Sequence, residues 1–182
     1  VESEQWKVQP VRDKSTSHEL LATGLSAVRQ NDLSTARAAN DALAKLADDG
    51  RAEDKIAQME VAALIAAAEG DTDDAIALMD TAIALVETLR PPNGAASPVK
   101  PPYELYGELL LEFNRPAEAT AKFAIALQRM PNRMRSLLGA ARAAVKTGNT
   151  SAAKRFYATI VDYWVGSPDN PSYKEAAQFG LN

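Results

Sequence analysis

Ala119, Phe123 and Ala126 return as Ala153, Tyr157 and Ile160, each 34 residues further along the chain. At the same offset Tyr103 returns as Leu137, and Asn114-Arg115 as Gly148-Asn149. Residues spaced i, i+4 and i+7 share one face of an α-helix. Such a face, repeated at a fixed period on paired helices, leaves few folds open. One helical hairpin cannot bury its apolar side alone, so successive hairpins must stack.

The turns carry the repeat beyond those two units. QNDLSTA, EGDTDDA, FNRPAEA and TGNTSAA each hold Gly or Asn, then polar residues, then a small contact alanine. Gly and Asn tolerate the left-handed backbone that ends a helix. The contact alanines Ala36, Ala75, Ala119 and Ala153 are separated by 39, 44 and 34 residues. Four units are therefore expected, with insertions at the first two junctions. The larger insertion, PPNGAASPVKPP at 91–102, contains five prolines. They forbid a helix there and favour an extended, semi-rigid loop within one stack.

Composition agrees with helices. The 182 residues are rich in alanine, 46% hydrophobic and 6% aromatic, which favours helix on intrinsic propensity. A net charge of −4 supplies no field for nucleic acid. The apolar run Val61–Ala68 is too short to span a bilayer. The absence of cysteine removes disulfides and thiolate metal sites. The chain opens on Val1 with no charged segment leading into an apolar core, so a processed chain or a fragment is expected.

In order, residues 1–16 read as an extended lead-in, with Trp6 packed against the first helix. One domain follows over 17–182, with helix pairs at 17–49, 51–90, 101–130 and 132–165 and a short cap at 172–180. Ser17, Thr72 and Ser172 are the expected N-caps. Gly24 is expected to face Ala36. Asn40 and Met79 stand where the later units carry a ring. Tyr173, Ala176, Ala177 and Phe179 are expected to cover the last open face, as a stack of repeats requires.

The unit beginning near Lys100 resembles the tetratricopeptide repeat family. It carries Tyr103, Tyr106-Gly107, Leu110, Ala119, Phe123, Ala126 and Pro131, departing from the family pattern mainly at Tyr106 and Leu110. The next unit carries Leu137, Ala140-Ala141, Ala144, Ala153, Tyr157 and Ile160, with Val165 in place of the proline. The resemblance implies an all-α fold: a right-handed α-α superhelix of about four such pairs, closed by a short C-terminal helix. It also implies that Gly107 and Ala119 let paired helices approach, while Phe123 fills the space between one pair and the next. The last half of the chain further resembles the C-terminal repeat region of larger bacterial proteins, many of them exported. That implies a periplasmic or secreted setting and supplies no activity.

No catalytic, metal or cofactor constellation emerges. His18 is the one histidine, which leaves no metal set or triad, and it is expected to be an exposed residue at a helix start. No GxGxxG or GxxxxGK[ST] loop is present. Asp71, Thr72, Asp73 and Asp74 resemble the opening of a calcium loop, but the chain runs straight into helix, so capping is the better account. The family resemblance makes the first helix of each pair line a concave groove. There Glu104, Glu108 and Glu112 form an acidic stripe, and Arg135, Arg142 and Lys146 a basic one. The two stripes either pair with each other or read an extended peptide. Family members that clamp a C-terminal carboxylate use Lys and Asn at places where this chain has Glu and Leu. Phe113, Phe156, Tyr163 and Trp164 are candidate anchors whose default is core packing. The expected function is a non-enzymatic scaffold binding a protein or peptide, without nucleic acid, membrane or cofactor. The alternative is an accessory domain of a larger enzyme or exported protein. Homodimerisation through the end faces of the stack is left open.

Overall fold

The computed structural model describes residues 6–90 and 99–180. Those residues form nine helices and no strand: α1 (Ser17–Arg29), α2 (Leu33–Ala47), α3 (Ala52–Glu69), α4 (Thr72–Thr88), α5 (Pro102–Glu112), α6 (Pro116–Arg129), α7 (Met134–Lys146), α8 (Thr150–Tyr163) and α9 (Pro171–Gly180). The fold is all-α, with neighbouring helices packed in pairs as in a helical repeat. The chain divides into two compact units, Val1–Leu105 and Tyr106–Asn182. The sequence draws one domain over 17–182, with 91–102 as a loop within one stack. The division falls inside α5, and residues 91–98 lie outside the described ones.

Four turns are built alike, and they set the helix ends. Asn31, Gly70, Asn114 and Gly148 have φ of 58°, 87°, 56° and 74°. The residue after each sends its N–H back five residues, from Asp32 to Ala27, Asp71 to Ala66, Arg115 to Leu110 and Asn149 to Ala144, at 2.8–2.9 Å. This is the Schellman ending, which satisfies carbonyls left over at a helix C-terminus. The same residue then starts the next helix. Asp32, Asp71 and Asn149 each accept an N–H from three residues on, at 3.0–3.1 Å. Two neighbouring residues thus end one helix and begin another. At the third turn Arg115 makes no such cap, and Pro116 opens α6 without an N–H to satisfy.

Three expected caps shift by one or two positions. Thr16, not Ser17, caps α1. Its hydroxyl accepts the Glu19 N–H while the Glu19 carboxylate accepts the Thr16 N–H at 2.7 Å, a capping box read one residue late from sequence. Asp71, not Thr72, caps α4, so the acidic run there is capping. Asn170, not Ser172, stands at the start of α9 and accepts the Ser172 N–H at 2.9 Å.

Packing follows the repeated face. Ala36, Ala75, Ala119 and Ala153 are all fully buried, as are Met79 and Phe123 four residues after their alanines. Asn40, at the ringless position, accepts a hydrogen bond from Gln58 of α3 at 3.1 Å instead. In the first unit α3 is wrapped by α1, α2 and α4. Gly24 meets Val61 of α3: a Cβ on Gly24 would stand 2.8 Å from both Val61 methyls. In the second unit the Phe123 ring lies between two glycines. A Cβ on Gly107 would stand 2.7 Å from the ring, and one on Gly139 would overlap it further. Phe123 therefore touches the first helix of its own pair and that of the next.

α9 closes the second unit. Ala176 is buried in the cluster made by Leu137, Leu138, Ala141, Ala153, Tyr157 and Ile160. Phe179 lies 4.6 Å from the Tyr157 ring, and Tyr173 lies 5.5 Å from Trp164. Both are tilted aromatic pairs at favourable separation.

Because the ring is rigid and wholly buried, Gly139→Ala is expected to lower stability by about 1–3 kcal/mol. Adding Phe123→Leu should remove the clash, so the double variant loses less than the sum of the single losses. Urea denaturation followed by circular dichroism on all three variants measures this. Additive losses would mean that the ring and Gly139 are not in conflict.

Candidate functional site

Of the six groove candidates, Glu108 and Arg135 pair with each other, as the pairing alternative had it. Glu104 is fully buried in the first unit, where its carboxylate accepts from Lys100 Nζ at 3.0 Å. It therefore cannot line a solvated groove; the stripe reading missed an ammonium one helical turn before it. In the second unit Glu108 and Arg135 are both largely buried and pair at 3.5 Å, linking α5 to α7. Glu112, Arg142 and Lys146 are exposed.

Arg142 is engaged by α9. Its guanidinium donates from Nε and Nη2 to both oxygens of Glu175, the shortest bond being 2.6 Å. The Tyr157 hydroxyl donates to the same carboxylate at 2.7 Å. One carboxylate on α9 thus holds a cation from α7 and a phenol from α8. Burial works to raise the Glu175 carboxyl, but the bonds from Arg142 and Tyr157 outweigh it and hold it below the ordinary value. The bond to Glu175 raises Arg142 in turn. Burial first, and then the bond to Glu175, push the Tyr157 phenol up, so it remains a donor.

The rest of α7 is divided by face. Ser136 to Ala141, Ala143 and Ala144 are buried. Arg142, Val145 and Lys146 remain at the surface, and Val145 is 45% exposed. Among the anchor candidates, Tyr163 is 60% exposed, while Phe113, Phe156 and Trp164 are half-buried. His18 is exposed in the first turn of α1. Among the described residues no group of three His, Cys, Asp or Glu side chains could hold a metal ion. No described helix is long and apolar enough to cross a membrane.

Sequence reasoning missed three charged residues. Glu175 sits on a helix read only for its apolar face, and nothing local marks its partners. Lys100 was read as part of a loop, yet it is buried. Glu60 is the one charged residue between Ile56 and Ile65 of α3, and that placement is a visible signal. No protein-family model matches the chain, and no curated protein matches it.

A folded carboxyl that titrates below its unfolded value contributes fully above the ordinary glutamate range and loses its contribution as pH falls through the folded value. Acidification should therefore loosen α9 before the α7–α8 pair. Protection of the α9 amides, corrected for the intrinsic pH dependence of hydrogen exchange, checks this, with Glu175→Gln expected to abolish its pH dependence. Since Arg142 and Glu175 are partly solvated, a double-mutant cycle between them should give a coupling of about 1 kcal/mol.

Proposed function

We propose that this chain is a non-catalytic module of the tetratricopeptide type that docks a protein or peptide. The observation that carries the reading is the split character of α7. One side of it is spent on packing, and the other leaves an aliphatic side chain and a cation at the surface, Val145 and Lys146, beside the Arg142–Glu175 pair. Polar rims around a small apolar centre are what protein interfaces use. The shared turn grammar and the four buried contact alanines support the family assignment, because stacked hairpins of this kind present helix faces for recognition. A partner segment with acidic residues flanking an apolar one fits the strip best.

Lys146 and Val145 contribute little to the interior, so Val145→Asp with Lys146→Glu should leave the helical spectrum and unfolding midpoint unchanged. The same pair should reduce recovery of a co-purifying protein at least tenfold in affinity capture with the full chain as bait. Equal recovery by both baits would remove α7 as the docking face.

A further inference from the structure

Glu60 is the least provided-for charged residue in the first unit. It lies in the middle of α3 with 1% of its surface exposed. Its Oε1 is buried and has no hydrogen-bond partner. The helices packed around α3 are α1, α2 and α4, and no charge on them acts on Glu60. The charged groups that do act are Lys100 and Glu104, from the segment that leads into α5. Both are buried to within 2% of their surface, and the Lys100 ammonium is committed to Glu104 at 3.0 Å. The neighbouring acid Asp54 has its own partner, accepting two bonds from Arg51 at 2.7 and 3.0 Å. Glu60 therefore faces a cation already paired and an anion of its own sign.

We infer that Glu60 is an un-ionised carboxylic acid at neutral pH, and that its ionisation at higher pH destabilises the packing around α3. An isolated buried carboxylate is so costly that such a group takes up a proton instead. Burial, the largest influence, and the Glu104 charge both push the Glu60 carboxyl well above the ordinary range, against the opposing pull of Lys100. When pH rises far enough, the Glu60 proton leaves to solvent. A second carboxylate then stands near Glu104, and its orphaned oxygen still lacks a donor. The strain is relieved by admitting water to the face of α3 that carries Glu60, so the expected opening is local to that face.

The sign of the effect follows from the direction of the shift. Below the unfolded glutamate value both states hold the proton, and the stabilising contribution is complete. Above it the folded state alone keeps the proton, so stability falls as pH rises, until the folded group also ionises. Over that window the folded-to-unfolded ratio falls roughly tenfold per pH unit for the one proton.

The test uses the full chain and its Glu60→Gln variant. Infrared spectra in heavy water at neutral pH should contain the carbonyl stretch of one un-ionised carboxylic acid, and the variant should lack it. Denaturation across the weakly acidic to weakly alkaline range should give a variant that gains on the native chain, roughly tenfold in folding equilibrium per pH unit. Once the intrinsic base-catalysed rate is divided out, protection of the α3 amides around Glu60 should fall at alkaline pH in the native chain and stay constant in the variant. A native spectrum with no acid band overturns the inference, and that reading stands even if the variant does not fold. Parallel pH profiles for the two chains overturn it as well.

Discussion

Helices nest only as closely as their facing side chains permit, and in this protein that distance is set by four alanines. Ala36, Ala75, Ala119 and Ala153 each follow a turn by a few residues, and each is wholly excluded from solvent. A larger side chain there would hold the two rods of a hairpin apart and leave the turn's hydrogen bonds out of reach. The bulk that fills the interior comes four residues later, from Met79, Phe123 or Tyr157. The arrangement works because interiors are packed at crystalline density, so each large group needs a matching absence nearby. For Phe123 the absences are Gly107 and Gly139, one on each side of the ring.

Polar groups follow the same economy. Each Schellman turn satisfies carbonyls of the helix before it, and at three of the four the next residue's side chain caps the helix after it. The joints are short because one pair of residues does both tasks, and short joints keep consecutive helices antiparallel and adjacent. Where a ring is missing, the position is occupied by a hydrogen bond, as with Asn40 and Gln58. Where the second unit ends, α9 brings both apolar cover and a carboxylate. Glu175 is held by Arg142 and Tyr157 from two different helices, so the closing helix is fixed in register as well as buried.

How much of this was legible depends on whether the determining contacts are local. The helices, their order and the identity of the small and large contact residues follow from periodicities within a dozen positions. The cap residues were misplaced because Thr16-Ser17 and Asp71-Thr72 each offer two adjacent candidates, and only backbone geometry chooses between them. Gly139 went unremarked because its role exists only through Phe123, sixteen residues earlier. The burial of Glu104 was hidden for the same reason. A helical face of glutamates looks solvated from sequence, and whether Glu104 meets water depends on Lys100 and on what packs around both.

Charge therefore divides by what surrounds it. Glu104, Glu108 and Arg135 all read as surface groups by type, and each is engaged inside the protein, in pairs spanning four and 27 residues of sequence, whereas the Arg142–Glu175 pair, 33 residues apart, stays partly solvated. Exposed ion pairs contribute little because water competes for both partners. Withdrawn from water, the same groups become directional, since a buried charge tolerates few alternative partners. The pairs around α5, α7 and α9 are thus better at selecting one packing arrangement than at adding stability. Lys146 stays at the surface, while Glu60 is withdrawn from solvent with one oxygen lacking a donor.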